Sequence, residues 1–278
     1  MPLSINTNIA SMTAQRSFLN SNAALEQSFE RLSTGKRINS ASDDAAGLAI
    51  GKDLESRVSG LNQAVRNVND GISMVQILEG AYDEATTIVQ RMRDLAVQAA
   101  NGSLATAERA YLDTEQSKLA TSLDSVMAQA KFGSVDLADG GTVTVVIQSG
   151  SEIADLTTLS MTTASNDDAA AMGISGANID IGTTQAKALT SITALDTALT
   201  TIATQRAALG AQQSQLESTV RNLSNVAENT AAAAGRIMDT DYAAETANLT
   251  KAQILQQAAT SILAQANAQP QAVLALLQ

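Results

Sequence analysis

Apolar residues recur along most of this chain at alternating three- and four-residue steps, the spacing of helices that pack side by side. From Leu54 the run passes through Val58, Leu61, Val65, Val68, Ile72, Val75 and Leu78 to Ala81, Ala85, Ile88, Met92 and Leu95. One additional three-residue step near Leu78 overwinds such a supercoil locally. A second run takes in Leu112, Leu119, Leu123, Val126 and Ala130, with Gln116 filling the gap. The cleanest run lies between Ile192 and Ile237, where Leu195, Leu199, Ile202, Leu209, Leu216, Val220 and Leu223 keep the alternation without a slip. Arg206 and Gln213 sit inside that seam as register-setting polar residues. At about 1.5 Å per residue the predicted helix extends ~70 Å, longer than a compact domain requires. Only Pro2 and Pro270 interrupt the helical potential. The expected fold is mainly α: an elongated antiparallel coiled-coil or helical-bundle rod formed by N- and C-terminal arms.

The pattern changes between 131 and 184. DLADGGTVTVVIQSG (136–150) joins Gly-Gly turn chemistry to the β-branched run Thr142 to Ile147, and the following LTTLSMTTASNDD is rich in Thr and Ser. A small insert containing a β-hairpin is expected there. Its hydroxyls are acceptable to O-linked sugars, and equally to a plain polar loop.

Both ends carry apolar stripes. Ile5, Ile9 and Met12, then Phe18, Leu25, Phe29 and Leu32, mark an N-terminal helix. Ile254, Leu255, Ala258, Ile262, Leu263 and Ala266, continued by Val273, Leu274, Leu276 and Leu277, mark a C-terminal one. The other face of that last helix bears Gln253, Gln256, Gln257, Gln265 and Gln269, and residues 252–278 hold no charged side chain. Burying a Leu-sized side chain is worth ~1.5–3 kcal/mol, so ends of this kind need cover. The two ends can pair within the chain and complete a bundle. Neutral amides also tolerate partial burial among copies of the same helix, which favours contact between molecules. A rod whose ends bind the next copy makes a heterologous contact and, when the rotation does not close, an open helical polymer. Ile5, Ile9, Met12, Leu255, Ile262, Leu263, Leu274 and Leu277 are the candidate polymerisation residues.

Composition narrows the chemistry. Aromatic residues make up 2% of the chain and there is no Trp, which suits thin helix packing better than a compact core. Cysteine and histidine are both absent, removing disulfides, thiol nucleophiles, the usual zinc ligands and the commonest general base. No nucleophile with a base, carboxylate pair or metal set stands at usable spacing, so no catalysis and no cofactor are expected. The net charge of −11 opposes nucleic acid and anionic membranes. Seven of those charges lie between 101 and 190, where eleven acids face four bases, so the middle is solvated. Seven glutamines from 252 to 278 make bilayer insertion costly, and no stretch reaches the ~18 apolar residues of a span. The N-terminus has no secretory signal, so export would follow a signal-independent route.

LSTGKRINSASDDAAGLAI (32–50) superficially suggests a phosphate loop. Glu30 occupies the place of its first glycine and Arg37 that of its hydroxyl, so nucleotide binding is rejected. A helix break and restart is expected instead, with Gly35 ending one helix and Asp43 and Asp44 capping the next.

Several ordered motifs then resemble the bacterial flagellins. INTNIAS (5–11), ERLSTGKRINSASDDAAGLAI (30–50), NDGISMVQILEGA (69–81) and QRMRDLAVQAANG (90–102) carry the likeness in the first half. LGAQQSQLESTVRNLSNVAEN (209–229), MDTDYAAETANLTKAQILQQA (238–258) and SILAQANAQPQAVLALL (261–277) carry it in the second. The resemblance implies terminal helices 1–32 and 249–278 lining the inner tube of a filament, and a spoke at 33–56 in which Lys36, Arg37, Asp43 and Asp44 touch neighbours. It implies rod arms at 57–130 and 185–248, flanking the insert 131–184, which is too short for the outer domains of larger flagellins. It further implies homopolymerisation into an extracellular motility filament and unfolded passage through a flagellar type III export apparatus with a flagellin chaperone. Filament cap and hook–filament junction proteins are the implied partners. Where Toll-like receptor 5 recognises flagellins, the implied contact here is Arg91, Leu95 and Glu115. A hook–filament junction protein and a coiled-coil signalling or adaptor module are the alternatives.

Overall fold

The computed structural model describes residues 7–138, 142–150, 156–162, 179–182 and 184–275. Among them are five α-helices, α1 (Ile9–Thr34), α2 (Ala45–Ala99), α3 (Thr106–Ala128), α4 (Gln185–Met238) and α5 (Tyr242–Ala275). Two short antiparallel hairpins stand between α3 and α4: β1 (Lys131–Phe132) with β2 (Val135–Asp136), and β3 (Thr142–Gln148) with β4 (Leu156–Thr162). The chain divides into two units, Met1–Val58 with Glu228–Gln278, and Ser59–Ala227.

In the second unit, positions seven apart on α4 are buried: Leu195, Ile202, Leu209, Leu216 and Leu223. The alternate seam positions Ile192, Leu199, Arg206, Gln213 and Val220 are half-buried. One side of the predicted seam is therefore core and the other its margin, which accommodates the two polar members. Arg206 reaches Asp83 of α2 at 3.0 Å, whereas Gln213 donates to Glu217 on its own helix. From Leu78 onwards α2 buries more of its circumference: Tyr82, Ala85, Val89, Met92, Leu95, Ala96 and Ala99 are all inaccessible. This is the section where the sequence period shifts, as a helix packed on more than one side requires.

The two apolar runs read before and after residue 100 are the two helices α2 and α3, separated by a turn at 100–105. Asn101-Gly102 supplies turn chemistry. Arg109, almost buried, closes the reversal by donating from Nε to the Ala99 carbonyl (2.9 Å) and from Nη2 to that of Asn101 (3.1 Å). A fixed charge thus satisfies carbonyls that the end of α2 leaves without intrahelical partners. Gln116, read as a gap-filler in the seam, is buried and donates to the Ile179 carbonyl at 2.8 Å, while Asp113 accepts from the Ile181 amide at 3.0 Å. Those two side chains tie segment 179–182 to α3. Strand β3 is held on α2 by Ile147, which fills the space above Gly71, and by Asn67 donating to the Gln148 carbonyl at 3.2 Å.

In the first unit, α1 ends at Gly35, whose φ of 70° puts it in the left-handed region and lets its amide return to Arg31. A Cβ at that glycine would stand 2.9 Å from the Tyr242 hydroxyl. The C-terminal helix starts at Tyr242, several residues before the expected boundary at 249, because Asp241 caps it: its carboxylate accepts from the amides of Ala243 (2.9 Å) and Ala244 (3.2 Å).

Two outcomes follow. Gly35→Ala meets both an unfavourable φ and the Tyr242 hydroxyl, and should cost about 1–2 kcal/mol; thermal unfolding followed by circular dichroism measures it. Arg109→Met keeps the bulk but removes the guanidinium from the Ala99 carbonyl and leaves that of Asn101 only the Leu104 amide at 3.3 Å, and should cost about 1.5–3 kcal/mol in the same assay.

Candidate assembly surface

α1 and α5 pack along faces whose fully buried positions are mostly small residues. On α1 the inward positions are Ser11, Ala14, Phe18, Ser21, Leu25, Ser28 and Leu32; on α5 they are Glu245, Leu249, Ala252, Gln256, Ala259, Leu263 and Ala266. Ala252, Ala259 and Ala266 recur every seventh residue and are buried, as are Ser11, Ala14 and Ser28. Small side chains at these places let the backbones approach closely and leave Phe18, Leu25, Leu32, Leu249 and Leu263 half-buried along the margins. Polar contacts fix the pairing: Asn8 donates to the Ala266 carbonyl (2.8 Å), Ser11 to Asn267 (2.8 Å) and Gln256 to Asn22 (3.0 Å). Arg31 lies 3.7 Å from the buried Glu245 carboxylate.

The single stripe read along each end therefore resolves into two. Phe18, Leu25 and Leu32 face α5, and Leu263 and Ala266 face α1. Ile9 (68% exposed), Met12 (59%), Leu255 (48%) and Ile262 (57%) point away from the pairing seam. Leu263 is half-buried in the internal seam, its helical position falling between buried Ala259 and Ala266. Gln256 likewise belongs to the seam and not to the glutamine face. Leu19, 66% exposed, belongs with the outward residues and was missed in the sequence, where its period follows Met12 at seven residues. Ile5 and Leu277 lie outside the described residues, as does the side chain of Leu274. Beside the pair, Ile9, Ala10, Thr13, Ala14, Ser17, Ser21, Leu255, Ala258, Ala259 and Ile262 line an apolar groove of about 480 Å³.

The four spoke residues are engaged within the chain. Lys36 pairs with Glu55 at 2.6 Å, and Lys52 approaches the other oxygen of Glu55 at 2.8 Å, so the two ammonium groups hold that carboxyl below its usual range. Arg37 donates from its amide to the Met238 carbonyl (2.6 Å) and from Nη2 to that of Ile237 (2.7 Å), closing the C-terminus of α4. Asp43 accepts from the amides of Ser40 (3.0 Å) and Asn39 (3.1 Å), which lower its pKa and set the turn. Asp44 alone caps α2, accepting from the Gly47 amide at 2.9 Å. The stretch 35–44 is thus bound to the α4–α5 turn, where the Thr240 amide also donates to the Gly35 carbonyl at 3.0 Å.

Arg91 and Glu115 are exposed and form an ion pair at 2.6 Å between α2 and α3. Leu95, grouped with them as a receptor contact, is 1% exposed and belongs to the core. The three residues do not share one accessible face: the α2 position of Leu95 points into the packing with Leu123 and Leu195, all members of one buried cluster. Among the described residues no helix is long and apolar enough to cross a membrane, and no cluster of carboxylates could hold a metal ion.

Family models agree with this architecture. Residues 5–142 match the bacterial flagellin N-terminal helical region, and residues 192–277 match the bacterial flagellin C-terminal helical region. A flagellin of Halalkalibacterium halodurans is 42% identical over 275 residues, 99% of each chain. The crystal structure of Bacillus cereus flagellin superposes with a TM-score of 0.50 at 30% identity, covering 61% of this chain and 94% of that one. A putative flagellar hook-associated protein from Vibrio parahaemolyticus gives a TM-score of 0.60 at 17% identity over 71% of this chain and all of its own, a likeness of fold alone. Helices paired through small residues, exposed aliphatic side chains along their outer faces, and full-length identity together place this chain in the flagellin family, as a structural subunit of the bacterial flagellar filament and not an enzyme.

Proposed function

We propose that this subunit polymerises through the outward faces of the α1–α5 pair. The carrying observation is that Ile9, Met12, Leu255 and Ile262 remain about half exposed or more although both helices already have an internal partner. At ~25 cal/mol per Å², covering such side chains in a neighbour supplies the favourable term for growth. In this reading α1 and α5 line the inner tube, and the long α2, α3 and α4 form the surrounding layer. Residues 33–56 form the spoke of the assembled subunit.

In the same reading the filament lies outside the cell, reached by unfolded export through a flagellar type III apparatus. A chaperone guards the apolar ends before export, and cap and junction proteins bound the polymer. The absence of cysteine, the scarcity of aromatics and the two prolines suit a chain that threads a channel and then folds from local helical contacts. Recognition by Toll-like receptor 5 would use the exposed Arg91–Glu115 pair, with Leu95 acting only as support from beneath.

Seeded electron microscopy of the purified full-length chain should show filaments. Met12→Glu and Ile262→Glu should each leave monomers with unchanged helical circular dichroism, since neither residue faces the internal seam. Leu263→Asp should instead lower helicity by separating α1 from α5. Wild-type protein that stays monomeric with seeds would overturn the assembly reading.

A further inference from the structure

The turn between α2 and α3 holds the only Asn-Gly dipeptide in the chain. The fold does not ask for its glycine: Gly102 has no positive φ, and a Cβ there would meet only the Gln185 side chain, at an ordinary 3.8 Å. What the missing side chain leaves is an uncrowded amide nitrogen. Asn101 and Gly102 are exposed, and the Gly102 amide has no acceptor among the described residues. The oxygens around that nitrogen are, in contrast, well supplied with donors. The Asn101 carbonyl, the other half of the same peptide unit, accepts from Arg109 Nη2 at 3.1 Å and from the Leu104 amide at 3.3 Å. The Asn101 side-chain oxygen accepts from the Ser103 amide at 3.2 Å, which folds the carboxamide back along the Gly102 peptide. Arg109 is buried and held in place by its second bond, to the Ala99 carbonyl at 2.9 Å.

Each donor faces an oxygen that gains charge when the Gly102 nitrogen attacks the Asn101 carboxamide. Loss of the Gly102 proton spreads negative charge onto the Asn101 carbonyl oxygen, beside the guanidinium. Addition of that nitrogen to Cγ then puts charge on Oδ1, facing the Ser103 amide. We propose that this turn is a self-modifying site at which Asn101 deamidates through a cyclic imide. The bond between Gly102 N and Asn101 Cγ forms, the bond between Cγ and Nδ2 breaks, and Nδ2 leaves as ammonia with the proton that Gly102 gave up. Water then opens the ring at Cγ, giving aspartate, or at the main-chain carbon, giving isoaspartate with the chain continuing through the side-chain carbon. Water is the single co-reactant, and no electron is exchanged. Either product leaves a new carboxylate in an exposed turn next to the Arg109 guanidinium, so ageing subunits gain negative charge there without a chain break. The same chemistry is shut off at Asn39, which also lies outside the helices. The amide that follows it, Ser40, donates to the Asp43 carboxylate at 3.0 Å, and that charge opposes loss of the proton. Within helices the amide after an asparagine is tied into the backbone ladder. The site belongs to the folded monomer and does not depend on assembly.

Purified full-length chain, held at neutral pH and then digested for mass spectrometry, provides the test. Asn101 should convert roughly tenfold faster in the folded chain than in the same chain denatured in guanidinium chloride, as one charge-assisted hydrogen bond on the developing charge implies. Isoaspartate should be among the products, read by methyl transfer from S-adenosylmethionine with an isoaspartyl methyltransferase, and Asn39 should stay unconverted in the folded chain. Gly102→Ala should slow conversion severalfold with unchanged circular dichroism, because its Cβ crowds the nitrogen while the fold has room for it. Arg109→Met, studied below its melting temperature, should bring the rate down to that of the denatured chain. Deuterium exchange of the Gly102 amide passes through the same deprotonated nitrogen; it should be faster in the folded wild type than in the denatured chain and lose that advantage in Arg109→Met. A folded chain that converts Asn101 no faster than the denatured one overturns the proposal, as does a folded Arg109→Met chain that keeps the wild-type rate. A product that is aspartate alone marks direct hydrolysis and overturns it too. Should Arg109→Met fail to fold, the wild-type comparison and Gly102→Ala decide.

Discussion

Close contact between α1 and α5 depends on side-chain size. Alanines at 252, 259 and 266 and serines at 11 and 28 occupy the buried positions of the pair, and the larger Leu and Phe residues are displaced to its margins and outer faces. A conventional two-helix seam places its largest residues inside and its charges outside. Reversing that order gives a pair that is thin and closely spaced yet still carries aliphatic surface to contribute to a further contact. Substituting leucines for the buried alanines would widen the pair and remove the difference between the groove and its ridges.

The polar contacts serve the same end. Asn8, Ser11, Asn22, Gln256 and Asn267 fix the register of α1 on α5 through neutral hydrogen bonds, without charges that would be costly to enclose in a polymer. The ionic residues gather at the turn end of this unit, where Arg31 approaches Glu245, Lys36 and Lys52 share Glu55, and Arg37 closes the last carbonyls of α4. The stretch 32–50 is therefore a backbone joint: a left-handed glycine, an Asp43-centred turn and an Asp44 cap, stitched to the α4–α5 turn. The lysine of its Gly-Lys pair is paired with Glu55.

In the other unit, polar side chains take structural roles at places where helices stop. Arg109 closes the end of α2, and Gln116 and Asp113 hold segment 179–182. Arg91 and Glu115 join α2 to α3 on the surface, above a core in which Leu95 is wholly enclosed.

Periodicity in the sequence determined the helices, because the apolar repeat of a helix is local and each turn is written in consecutive residues. The seam of α4, the helix stop at Gly35, the Asp44 cap and the β-branched strand after 142 were all legible in such local patterns. Which face of a two-sided helix is covered was not legible, because Phe18 and Leu19, or Ile262 and Leu263, are equally apolar neighbours and only the partner distinguishes them. The tertiary structure decided that Leu263 and Gln256 face inward while Leu19 and Ile262 face outward, that Leu95 is core, and that Lys36 and Arg37 bind their own chain. Several of these contacts join residues two hundred or more positions apart, as between Arg37 and Ile237 or Asn22 and Gln256, and no local pattern encodes a distance of that kind.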